Sequence, residues 1–130
     1  MIANVQLRSF GYLHGGPYIE ADLIIDLREL LYNPHENSAM RELTGLDEVV
    51  REHVITTDGA AKLIYAMTNC IACIVNLKQT DSLPTFVEIG CSGGRHRSVV
   101  ITNEVAYLLS GMGIQPYIIH RDIHQPVVQR

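Results

Sequence analysis

Between Phe86 and Val100 the chain reads FVEIGCSGGRHRSVV: an apolar run ending in glycine, then a thiol, a hydroxyl, two more glycines and a cluster of cations. The run before the cysteine has the character of a strand, and the one after the cations that of a helix. In such a turn, Gly93 and Gly94 lack a Cβ, so they can adopt positive φ and admit a ligand against the backbone. The free N–H groups and dipole of the following helix favour an anion at that point. Arg95, His96 and Arg97 add donors, and a guanidinium can hold phosphate through two parallel hydrogen bonds. An ordinary tight turn also needs glycine, but cations at a helix entrance oppose the dipole and cost stability unless an anion offsets them. The loop is therefore read as a phosphate or carboxylate site built from Cys91, Ser92, Gly93, Gly94, His96, Arg97 and Ser98.

A second chemistry fits the same letters. Cys91, Arg97 and Ser98 satisfy C-x5-R-S, with Gly94 inside the loop, and this spacing resembles the phosphate loop of cysteine-dependent tyrosine phosphatases. There a thiolate attacks phosphorus while arginine and backbone amides stabilise the transferring group. Against it, Gly90 stands where those enzymes usually carry histidine, and no aspartate is identifiable as the general acid. Cys91 and Arg97 are thus catalytic candidates only in this alternative.

Other reactive residues are weighed against plain structure. Asp26 ends the apolar run ADLIIDL and is read as a site carboxylate, with a simple pair to Arg28 as the alternative. His120 and Arg121 follow a later apolar run and either border the pocket or are solvated. His120 and His124 would make a metal pair only on a helix, which Pro126 opposes, so no metal site is expected. Cys70 and Cys73 form C-x-x-C inside an apolar helical stretch without a second ligand pair, and are expected to be buried as small hydrophobes. Glu88, within TFVEIG, is expected at an edge or interface because a buried unpaired carboxylate is expensive. HGGP at 14–17 is read as a turn, since no G-x-S-x-G accompanies it.

The elements that must position these residues follow from periodicity. IANVQLRSF alternates and predicts a strand entering a glycine-rich turn, and ADLIIDL predicts a strand covered on both faces. Residues 28–45 read as a long loop. A short helix is predicted over 46–54, and a longer one capped by Thr57 or Asp58, with Leu63, Met67, Cys70, Ile71, Ile74 and Leu77 as its apolar stripe to about Lys78. TFVEIG, a helix over 99–109 and the strand IQPYIIH complete the chain. The order strand, strand, helix, helix, strand, helix, strand predicts an α/β fold, a mostly parallel open sheet with helices packed on it. In such sheets ligands gather beyond the carboxyl ends of strands, where Asp26 and the Gly90–Arg97 loop both fall.

Composition bounds the rest. The 130 residues are 47% hydrophobic, which suits one compact domain burying about two-thirds of its unfolded surface. With 10 Lys+Arg against 14 Asp+Glu the formal charge is -4, so no global basic field attracts nucleic acid. MIANVQLRSF has no signal-peptide pattern, no segment reaches about 20 apolar residues, and the odd count of 3 cysteines fits a reducing compartment. A cytoplasmic single domain without membrane contact or cofactor is expected.

IGCSGGRHRSV, with DLIIDLRELLYNPH upstream, ELTGLDEVV in the middle and HRD near the end, resembles the RapZ C-terminal domain family of RNase adapter proteins. The agreement runs in order from SFGY at 9–12 to HRD at 120–122. The resemblance implies a non-enzymatic sensing domain that binds glucosamine 6-phosphate, contributes to binding a small regulatory RNA, and self-associates, as a dimer. Carried over position by position, Asp26 is a ligand contact and Cys91, Ser92, Gly93, His96 and Arg97 form the phosphate loop, with His35 of NPH nearby. No G-x-x-x-x-G-K-[ST] occurs here, so nucleotide hydrolysis is not implied. This chain has one extra residue between Asp26 and His35, and IHQPVVQR replaces the family's basic tail.

Overall fold

A computed structural model describes residues 5–78 and 83–129. Four strands, β1 (Val5–Gly11), β2 (Leu23–Asp26), β3 (Thr85–Cys91) and β4 (Pro116–His120), form one sheet in the order β2-β3-β1-β4. Every neighbouring pair is parallel. Three α-helices accompany it: α1 (Glu48–Ile55), α2 (Ala60–Leu77) and α3 (Arg97–Gly111). The predicted α/β class and element order are those observed.

The core lies on one face of the sheet. Alternation along the strands turns Val5, Leu7, Val87, Ile89 and Cys91 toward α1, α2 and α3, where they meet Val50, Val54, Ile71, Val100, Ile101 and Leu109. The strand β3 lies between β1 and β2, and α3 returns across it to β4 at the far edge. All four strands end on the same side, which brings Gly11, Asp26, Cys91 and His120 to one rim.

Four expectations are corrected by this packing. The strand β2 is an edge strand, not one covered on both faces: its residues alternate, with Ile24 and Asp26 exposed. The helix α2 begins behind Gly59, at φ +86°, without a side-chain cap. Thr57 Oγ1 accepts the Tyr32 N–H instead. The buried stripe of α2 is Ala60, Ile64, Met67, Thr68, Ile71 and Ala72, a rotation that leaves Cys70, Cys73 and Leu77 on the solvent side. By length and composition α2 also reaches the range of a membrane span, with 18 residues of mean hydropathy 1.5, whereas the sequence reading found no such segment. Its buried side packs on α3 and β3.

Glu88 supplies the fourth correction. It sits in the sheet interior, 2% exposed, beside Arg8 in register. Arg8 Nε and Nη2 grip its carboxylate at 2.8 and 2.7 Å, and the Tyr18 N–H from the loop after β1 donates at 2.9 Å. A buried carboxylate becomes tolerable when a bidentate guanidinium and a backbone donor replace its water. Glu88 in turn raises the Arg8 pKa, chiefly through their hydrogen bonds. Removing the cation strands the anion, so Arg8→Met is expected to lower stability by about 3 kcal/mol in chemical denaturation. Glu88→Gln, which keeps an acceptor for Tyr18, should cost less.

Candidate functional site

The site is built where β3 hands over to α3. Residues 92–96 cross the rim, and α3 starts at Arg97 behind His96, with no side chain capping its first N–H groups. Gly94 takes φ +72°, and a Cβ there would stand 2.5 Å from Gly11 N. The reciprocal is as severe: a Cβ on Gly11 would stand 2.3 Å from the Gly93 carbonyl carbon. The end of β1 and the loop thus touch backbone to backbone, which only two glycines allow.

Cys91 is buried under this loop at 2% exposure. Its Sγ accepts the Gly94 N–H at 3.3 Å and donates to Ser98 Oγ at 3.2 Å. Among the described residues, the N–H groups of Ser92, Gly93, Arg95 and His96 meet no protein acceptor, while the Ser92 carbonyl takes the Leu13 N–H.

The cations divide their work in a way the sequence did not show. Arg97, 4% exposed, directs Nη1 at the carbonyls of Leu27, Arg28 and Leu30 (3.3, 3.0 and 3.2 Å) and Nη2 at Ser92 Oγ (3.5 Å). Arg95 turns away from the loop to the carbonyls of Glu42, Leu43, Ile123 and Gln125. His96 is 4% exposed and its Nε2–H donates to the Arg41 carbonyl at 3.1 Å. Among the described residues no carboxylate forms an ion pair with Arg95 or Arg97.

At the end of β2, Asp26 faces Gly90 in register and lies close to the loop. It binds Arg28 through Nε and Nη2 and also accepts the Arg28 N–H at 2.9 Å. That hydrogen-bonded pair holds its pKa below the ordinary value, and Arg97 adds a smaller pull in the same direction. The Arg28 guanidinium lies 3.7 Å from the Tyr12 ring centroid. Asp26 and Arg28, both exposed, and the half-buried Tyr12 therefore form one cluster at the rim.

Beside it opens a cleft of about 790 Å³ whose walls include Arg28, Glu29, Asn33, Glu36, Asn37 and Arg97. Leu31, also on the wall, holds φ +71°, a conformation few leucines adopt. His35 stands in the short turn Pro34–Glu36 behind Asn33, and its carbonyl accepts Arg41 Nε. Asn33, Asn37, Tyr32 and His53 were not singled out from sequence. They come from a loop and the last turn of α1, and no spacing motif joins them; the Asn33 cap on His35 N–H was the one local signal.

His120 and Arg121 serve the rim differently. His120 Nδ1 meets Ser9 Oγ at 2.7 Å and Nε2 meets Asn103 Oδ1 at 3.0 Å, a chain joining β4, β1 and α3 away from the cleft. Burial lowers its pKa. Arg121 clasps the carbonyls of Gly11, His14, Gly15 and Gly16, while Asp122 accepts the Gly11 N–H at 2.7 Å. No group of three or more potential metal ligands exists among the described residues.

The RapZ C-terminal domain profile matches residues 3–124, nearly the whole chain. This chain belongs to the RapZ C-terminal domain family. A nucleotide-binding protein of Thermobifida fusca is 40% identical over 116 residues, 88% of this chain and 39% of the relative. Those of Desulforamulus reducens and Rubrobacter xylanophilus are 38% and 37% identical, covering 38% and 40% of their lengths. The chain thus spans about two-fifths of the length of the curated relatives it matches.

His96 generates a pH prediction. Burial pushes its pKa down to about 4, with the neighbouring Arg95 charge adding to the effect. The folded ring is therefore neutral and binds fewer protons than the unfolded one. Its stabilisation is complete above pH 6.5 and is lost as pH falls toward 4, by roughly 3 kcal/mol over that window. Denaturation midpoints across pH 4–7 should fall with acid, and His96→Gln should flatten the slope.

Proposed function

We propose that this domain is a non-enzymatic sensor that binds a small phosphorylated metabolite, an amino-sugar phosphate such as glucosamine 6-phosphate, at the strand rim. The observation that carries this reading is Arg97: a guanidinium 4% exposed, held by carbonyl oxygens, with no carboxylate paired to it among the described residues. Carbonyl dipoles satisfy its donors without cancelling its charge, so an anion at the loop would supply the missing compensation. The unengaged N–H groups of Ser92, Gly93, Arg95 and His96 would bind phosphate oxygens, with Ser98 and Cys91 forming the floor. Asp26, with the carboxylates and amides of the adjacent cleft, offers acceptors for sugar hydroxyl and amino groups, and His35 lies behind that wall.

The relatives' name, nucleotide-binding protein, describes a ligand with the same phosphate chemistry. The phosphatase alternative uses the same thiol, but Cys91 is 2% exposed and shares its sulfur with Ser98 and Gly94. Isothermal titration of the full chain decides between them. Glucosamine 6-phosphate should bind more tightly than inorganic phosphate, ATP or GTP, and Arg97→Lys, which keeps the charge but loses the planar fork, should weaken binding about 10-fold or more. No heat at millimolar sugar phosphate, or an unchanged Arg97→Lys, sinks the reading. Turnover of an aryl phosphate that Cys91→Ser abolishes would establish the alternative.

The family resemblance extends the proposal to a small regulatory RNA and to a dimer in solution. With a formal charge of -4, RNA binding would need a local patch and should vanish with rising salt. A gel-shift series with a structured small RNA is expected to show a complex at low salt. An absent shift there eliminates direct RNA contact by this chain.

A further inference from the structure

The rotation of α2 that buries Met67, Ile71 and Ala72 leaves two thiols on the opposite side. Cys70 and Cys73 are both exposed, three residues apart in the middle of an 18-residue helix. Residues at that spacing share one face, with Cβ atoms about 5–6 Å apart. Their exposed neighbours Ala66, Asn69, Asn76 and Leu77 bring no charge, and Ala66 and Asn69 are short, so a reagent in solvent reaches both sulfurs. A dithiol presented in this way has no packing role to explain it.

We infer that Cys70 and Cys73 form a two-thiolate site for a soft, thiophilic ion such as monovalent copper, separate from the strand rim. Distance decides between chelation and a disulfide. A disulfide requires Cβ atoms about 3.5–4.5 Å apart, so closing one would tighten the helical turn. Two metal–sulfur bonds of about 2.3 Å each bridge the native spacing without moving the backbone. Ligand number decides the class. Zinc in a structural site takes four protein ligands, and no third His, Cys, Asp or Glu joins this pair among the described residues. Thiolates select soft ions, of which monovalent copper is satisfied by two. On binding, each thiol releases its proton to solvent, two sulfur–metal bonds form, and no oxidation state changes.

The test uses the full chain, reduced and under anaerobic conditions, competing for monovalent copper with a chromophoric chelator. One equivalent is expected to bind. Cys70→Ser and Cys73→Ser, each on the solvent face, should keep the wild-type circular dichroism and weaken binding by about 10²–10⁴-fold, the gain from tethering two ligands. Cys91→Ser should leave the affinity unchanged. Phenylarsine oxide, which takes two thiols, should add one mass increment to the wild type and none to either variant. Wild-type affinity in either serine variant, loss of binding in Cys91→Ser, or half an equivalent per chain would overturn the assignment.

Discussion

The rim of this domain depends on guanidinium groups laid against backbone carbonyls. Arg97 gathers the start of the loop after β2, Arg95 gathers residues 42–43 and the segment 123–125, and Arg121 gathers the glycine-rich turn after β1. These segments have little regular structure, so their carbonyls lack the ladder or helix partners that buried backbone requires. An arginine offers five donors in a rigid fork and stays charged, which makes it the side chain able to satisfy several carbonyls from one point. Each clasp reaches from a strand end or helix entrance to a loop distant in sequence, and so ties the loops to the sheet.

The electrostatic consequence is specific to the position. Arg121 has Asp122 beside it, and Arg8 has Glu88, so those cations are neutralised locally. Arg95 and Arg97 are not paired in this way among the described residues. The Arg97 guanidinium reaches the loop at Ser92 Oγ, beside the head of α3 where no side chain caps the N–H groups, and raises the local positive potential there. The neutral, buried His96 between the two arginines adds no third charge and spends its Nε2–H on the Arg41 carbonyl, which anchors the loop at 40–44.

Close backbone approach is the second constraint on the rim. Gly11 and Gly94 face one another where any side chain would collide with main-chain atoms. Gly90 leaves room for the Phe10 ring, and Gly45 for Val99. With side chains absent, the loop over Cys91 meets the end of β1 backbone to backbone, and the thiol beneath it is buried in the core.

Much was legible in the chain itself. Apolar runs bounded by glycine and proline marked the strands, helical spacing marked α2 and α3, and the cysteine–glycine–arginine cluster marked the turn, because these signals are local and set by period and backbone chemistry. Local signals could not reveal which way each side chain faces once elements pack. Glu88 reads as an acid at an edge or interface until Arg8 is placed beside it from another strand. Cys70 and Cys73 looked buried because the helix is apolar on more than one side, and only the contact with α3 and β3 selected the side that packs. The cleft beside Arg97 brings together residues from a loop and the end of α1, and the three arginines chose carbonyls far along the chain. Sequence by itself determined the elements and which residue types meet in the loop after β3; partners, burial and the direction of every cation were decided by tertiary packing, since those depend on contacts between residues that no period connects.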